Sequence, residues 1–219
     1  MPRPRSDIQP RIVHAARARF LESGVDGASL RAIASDAGTN VGMVFYYFPT
    51  KDDLFLAVIE DVYVKLLDDV AAALAGDAPV RERLERVFAR LGRASEDELT
   101  VVRLVVREVL LSHERFGRVF ARMQRGHVAM ILSTLAEGIA GGEIDGSIPP
   151  PLLLLSCIGL GALPQMVRRA AGDRAPFSVL PGPEKLAHES AELLFRAIGK
   201  KKSAPAASRP RPRKRAGVR

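Results

Sequence analysis

Three breaks in the first fifty residues constrain this chain more than any other feature. Gly24, Gly38 and the Phe48-Pro49-Thr50 step cut the stretch into short, unequal pieces, each patterned as a helix. Ile12, Val13, Ala16 and Phe20 recur at helical spacing and predict a first helix with one apolar face, running to about Ser23. Ser6 or Asp7 can cap it, and Pro10 is tolerated near its start because first-turn N–H groups have no intrahelical acceptor. Gly24-Val25-Asp26-Gly27 reads as a turn. Ser29 caps a second helix to about Ala37, with Ile33 and Ala34 inward. Gly38 permits the next turn, and Thr39 or Asn40 caps a third helix from Val41 to Tyr47. Thr50 caps a long fourth helix whose first turn carries Asp52 and Asp53, where negative charge suits the helix dipole. Its Leu54, Val58, Val62 and Leu66 mark a buried stripe. A short helix, a glycine turn and a second short helix are the proportions of a helix-turn-helix. The motif needs small residues where its helices cross, here Ala34 and Ala37, and a second helix able to enter a major groove.

The remainder reads as five more helices, about 79–94, 98–112, 115–141, 150–172 and 182–198, separated at Gly76-Asp77-Ala78-Pro79, Ser112-His113, Gly141-Gly142, Pro149-Pro150-Pro151 and Pro176 to Pro183. No run alternates with period two long enough for a sheet, so the expected class is all-α. Charge divides the chain further. Nine of its 33 basic residues fall in 200–219, where there is no acid, so the other 24 face 25 acidic residues. The expected organisation is a helix-turn-helix head at 1–51, a helical body at 52–199, and a disordered basic tail at 200–219.

The run Ser29-Leu30-Arg31-Ala32-Ile33-Ala34, then Ala37-Gly38, then Val44-Phe45-Tyr46-Tyr47-Phe48-Pro49-Thr50-Lys51-Asp52-Asp53-Leu54, resembles the TetR family of bacterial transcriptional regulators, as does the upstream set Ile12, Ala16, Phe20 and Gly24. The resemblance covers about residues 8–55. It implies a ligand-responsive regulator, most simply a repressor, that binds double-stranded DNA as a homodimer and is released by a small-molecule effector. It also implies roles for single residues. Thr39, Asn40, Val41, Gly42 and Met43 would lead the recognition helix toward the bases. Tyr46 would reach a phosphate, and Tyr47 would do so or brace the helix. Lys51 would meet a phosphate at the start of the fourth helix, and Ser29 and Arg31 would contact the backbone, or in the case of Arg31 a base. Val41, Gly42 and Met43 offer no side-chain hydrogen bonds. Specificity would therefore lean on thymine methyls, Arg31 and DNA shape. Phe45 and Phe48 read as packing aromatics.

A single short helix reads few base pairs, so a two-fold dimer on a palindrome is expected, its half-sites about 34–36 Å apart or somewhat more. The apolar segment Leu152–Val167 is the candidate interface; interrupted by Gly159, Gly161, Pro164 and Gln165, it falls short of a membrane span. Glu108, Phe120, Met123 and His127 are the candidate ligand contacts, with Arg107, Phe116, Met130 and Gln165 behind them; Arg103 and Arg107 fit a solvent-facing stripe better. Such a lining suits an apolar or amphipathic effector. Cys157 is the sole cysteine, and the N-terminus has no apolar leader, so a reducing, cytoplasmic setting is expected. There is no GxxxxGK[ST], HExxH, GxSxG or CxxC, and the four histidines lack metal-ligand spacing. No cofactor, metal, membrane or enzymatic role is expected. A helical small-molecule-binding or enzymatic protein with a vestigial helix-turn-helix is the alternative, and a tail-dependent DNA-coating protein a third.

Overall fold

A computed structural model describes residues 7–200; the arm at 1–6 and nearly all of the tail lie outside the described residues. Ten helices follow in order: α1 Ile8–Gly27, α2 Leu30–Asp36, α3 Val41–Tyr47, α4 Lys51–Leu74, α5 Val80–Gly92, α6 Glu96–Leu111, α7 His113–Gln124, α8 His127–Ala140, α9 Pro150–Ala171 and α10 Pro183–Ile198. Among the described residues there is no strand. One antiparallel bridge, Ile144 to Gly199, ties the loop after α8 to the end of α10.

The caps expected at Ser29, Asn40 and Thr50 form. Their side chains accept from Ala32, Met43 and Asp53 N–H, and Thr50 with Asp53 completes a reciprocal capping box. Asp7 precedes α1 without a side-chain cap. Gly24 breaks α1 with φ 77°, but one further turn, Val25 to Gly27, follows the kink where a plain turn was expected, because Val25 is drawn into the core. The expected single helix over 115–141 divides at Arg125-Gly126 into α7 and α8. The cause is distant in sequence. A Cβ on Gly126 would overlap the hydroxyl of Tyr63 on α4.

Two apolar clusters hold the molecule. The first joins α1, α2 and α3 to the N-terminal half of α4 and to α6 and α7, through Phe20, Val44, Phe55, Leu104 and Val119. Phe20 and Phe55 meet edge to face at 6.4 Å. The head thus has no core sealed off at residue 51; its apolar contacts continue into the body. The second cluster packs the C-terminal half of α4 with α5, α8, α9 and α10 around Leu84, Phe88, Leu135, Leu153 and Leu194.

Helix α9 is one continuous rod whose middle, Cys157–Ala162, winds as π-helix. Its buried residues Leu153, Cys157, Gly161 and Gln165 stand four apart. In a pure α-helix that spacing drifts by about 40° per step; the wider π turns take up the drift and keep the four on one face. Gly161 sits where a Cβ would overlap the ring of Phe88. An outward face of α9 is apolar, with Leu152, Leu155, Ile158 and Leu163 about half exposed, while Arg168 and Arg169 near its end donate to the Gly92 and Ala94 carbonyls. At 22 residues α9 is long enough to cross a membrane, contrary to the sequence expectation, which counted only its most apolar stretch.

Candidate nucleic-acid interface

The motif's second helix, α3, stands out from the surface. Val44 is its single buried residue, and Val41 and Tyr47 lean on the same core. The opposite face is open: Gly42, Phe45 and Tyr46 are exposed at i, i+3 and i+4, so they line one stripe. Tyr46 is 76% exposed and Phe45 50%, and the Tyr46 ring meets that of Tyr47 edge to face at 5.1 Å. Phe48 is buried as expected. Phe45 is not, because α3 is so short that one inward residue per turn, Val44, suffices to seat it.

The leading residues differ in what they can offer. The Asn40 side-chain oxygen accepts from Met43 N–H at 3.0 Å, so this group is committed to the cap. A Cβ on Gly42 would lie 3.1 Å from that oxygen. Gly42 therefore clears space for the cap and leaves backbone exposed at the start of α3. Thr39 and Met43 are half-buried beside it. Gly38, at φ 63°, turns the chain between α2 and α3, with Ala34 and Ala37 buried at the crossing.

Ser29 and Arg31 lie exposed at the start of α2. Lys51 Nζ donates to the backbone carbonyl of Asp26 at 2.8 Å, which holds the amine at the α4 N-terminus, next to that helix's free N–H groups. Arg19 braces α1 on α2 by donating Nε to Asp36 at 2.6 Å. The structure therefore brings Ser29, Arg31, Asn40, Gly42, Tyr46 and Lys51 onto one end of the molecule, and Phe45 joins them. Phe45's pattern of 42, 45 and 46 was available in the sequence once Val44 was taken as the inward residue.

The ligand candidates do not share a site. Glu108 is buried in an ion-pair cluster against the head. Arg107, expected in solvent, donates to the carbonyls of Phe20 and Leu21 at the end of α1. Phe120 stacks on Phe116 at 5.6 Å on the outer face of α7, both rings well exposed. Gln165 is buried under α10, donating to the Pro183 carbonyl at 2.8 Å. His127 Nδ1 and the Tyr63 hydroxyl share a hydrogen bond of 2.6 Å, and burial lowers the His127 pKa from its ordinary 6.5. Met123 alone lines an enclosed space, with Leu56, Ile59, Tyr63, Val119 and Arg122, of about 10 Å³. That is the room one water needs. Arg122 closes it, pairing with Glu60 and lying 5.0 Å over the Tyr63 ring.

Comparison with known proteins places this geometry. Residues 12–58 match the family described as bacterial regulatory proteins of the TetR family. The HTH-type transcriptional repressor Rv3405c of Mycobacterium tuberculosis is 37% identical over 93 residues, 42% of this chain and 47% of that protein, so the chain spans about half the length of such curated relatives. The HTH-type transcriptional repressor SCO4008 of Streptomyces coelicolor is 28% identical over 172 residues, 74% of this chain and 82% of the relative. Among solved structures, the transcriptional regulator FadR from Bacillus subtilis, in complex with stearoyl-CoA, aligns with a TM-score of 0.67 at 20% identity, over 86% of this chain and 98% of FadR. At that identity the likeness shows the fold.

Proposed function

From the match of residues 12–58 we propose that this chain is a TetR-family transcriptional regulator, a repressor, that reads a palindromic operator as a homodimer and releases it on binding a small molecule. The observation that carries the reading is the open stripe Gly42, Phe45 and Tyr46 on a capped helix anchored from behind by Val44. Such a helix can enter a major groove end-on, with Met43 and Phe45 suited to thymine methyls and Arg31 to a base edge or phosphate. Ser29, Tyr46, Tyr47 and Lys51 would take the sugar-phosphate contacts that fix register.

The outward apolar stripe of α9 supports the dimer. Leu152, Leu155, Ile158 and Leu163 form a face whose opposite side is already packed on α5 and α10. A second copy would remove that surface from water, which a monomer leaves wet. The effector would part α4 from α7 at the Met123 and Tyr63 crevice, whose apolar walls suit an apolar or amphipathic molecule; the stearoyl-CoA held by FadR is of that kind. Ligand binding would favour a body state in which the two α3 helices no longer match one duplex.

Selection of bound duplexes from random DNA tests the reading. Full-length protein should enrich a palindrome, and Tyr46→Ala with Lys51→Ala should abolish enrichment while the far-UV helical signal stays. Enrichment without two-fold symmetry, or indifference to both substitutions, would refute it.

A further inference from the structure

Head and body meet at a buried ionic cluster that neither the groove-facing stripe nor the apolar crevice uses. Glu108 on α6 is 2% exposed. One of its oxygens accepts from the Val25 backbone N–H at 3.2 Å and from Arg107 Nε at 3.2 Å; the other accepts from Arg115 Nη1 at 2.9 Å. A buried carboxylate is costly unless its lone pairs are taken up, and here the donors come from α1, α6 and α7. The break at Gly24 makes this possible. In an unbroken α1 the Val25 N–H would bond the Leu21 carbonyl. Instead it turns inward to Glu108, and Arg107 Nη1 takes the vacated Leu21 carbonyl at 3.0 Å.

Arg115, in the first turn of α7, extends the cluster to the DNA-facing corner. Its Nη1 also donates to Asp26 at 3.0 Å, and its Nε to Asp52 at 2.8 Å. Asp26 and Asp52 flank Lys51, whose amine rests on the Asp26 carbonyl. One guanidinium thus ties α1's last turn, the start of α4 and Glu108 together, and it offsets the two carboxylates nearest the proposed phosphate contact. The hydrogen bond from Arg115 holds the Asp26 carboxyl below its ordinary range, against a smaller opposing effect of desolvation.

We propose that Glu108 and Arg115 are positioning residues for DNA recognition, a latch that fixes how the head stands on α6 and α7. The DNA part of this rests on the regulator reading above. It places a second connection between body and head beside the covalent one through α4, at the α6–α7 junction.

Amide hydrogen exchange and DNA affinity, measured on the full chain, test it. The variants are Glu108→Gln, Arg115→Met, Arg115→Lys and Asp26→Asn, the last a surface change that leaves the buried pair in place if Arg115→Met fails to fold. The probe is a duplex enriched by the wild-type protein from random DNA. Glu108→Gln and Arg115→Met should speed exchange at Val25 and along α2, leave α5 and α10 unchanged, and weaken duplex binding about tenfold. Arg115→Lys should recover part of the loss, since a point charge cannot bridge three carboxylates as a planar fork can. Asp26→Asn should show the same pattern, weaker. Unchanged exchange at Val25 in folded variants, uniform acceleration throughout the chain, or a loosened head with unaltered affinity would each overturn the proposal. If the wild type enriches no duplex, the regulator reading falls, whereas the exchange contrast alone still upholds or overturns the docking role.

Discussion

The helix-turn-helix corner and the bundle that carries it are specified in different ways. Helices α2, α3 and α4 each start at a side chain that caps them: Ser29, Asn40 and Thr50. In the second apolar cluster, α5, α8, α9 and α10 start after Pro79, Gly126, Pro149 and Gly182, none of which supplies a side-chain cap, whereas α6 and α7, packed against the head, start at the capping side chains of Ser95 and Ser112. The limits of α5, α8, α9 and α10 are set instead by what packs across from them. The starts of α2, α3 and α4 are thus fixed by neighbours in sequence, those of the second cluster's helices by neighbours in space. Short helices need the first kind of support, because seven residues cannot offset the cost of nucleation without caps and an anchored side.

If that contrast holds, the bundle should suffer most from single changes in buried shape. Phe88→Ala, removing the ring that fills the notch at Gly161, should cost about 3–5 kcal/mol in urea unfolding. Gly126→Ala should cost less, about 1–3 kcal/mol, since the new methyl must displace the Tyr63 hydroxyl. Thermal unfolding with the tyrosine signal as probe would read it. The corner should answer to caps: Asn40→Ala should cost about 1 kcal/mol, and Asn40→Asp should restore most of it. Equal losses for alanine and aspartate would mean that packing, not the cap, holds α3. The smallest effect is a pH slope. His127 is held neutral with its pKa below 6.5. Protons therefore favour the unfolded chain as pH falls from 6.5 toward the lowered value, and midpoint temperatures should decline in that window. His127→Asn should flatten that part of the curve, while Asn40→Ala should not.

The same contrast explains what could be read in advance. Gly24, Gly38 and Thr50 announce themselves, because positive φ and capping are properties of one residue and its near neighbours. The boundaries of α2, α3 and α4 followed from them, while the exposure of Phe45 did not, since its aromatic character suggested a core that α3 is too short to need. The division of α7 from α8 was hidden because apolar periodicity runs through Gly126, and only Tyr63, 63 residues earlier, explains the break. Glu108 stood out as a polar residue on an apolar face. Arg107 and Arg115 lie one and seven residues from it, but Val25 lies 83 residues away, so its position on α6 alone did not distinguish an effector contact from a latch. Phe120 shows the reverse limit: helical spacing identifies a face but not whether anything covers it.

The notch at Gly161 has a further consequence. A helix packed by smooth side chains can roll about its long axis, trading one groove for the next. A ring lodged against a residue with no side chain works as a keyway, so α9 has one azimuth. In the proposed dimer the outward leucines would meet the partner at an angle set by that key. In such a dimer both α3 helices would hang from the far ends of the assembly, and a small roll of α9 would sweep them through a much larger arc. The distance between two half-operators would then be gauged by how one phenylalanine sits in its slot.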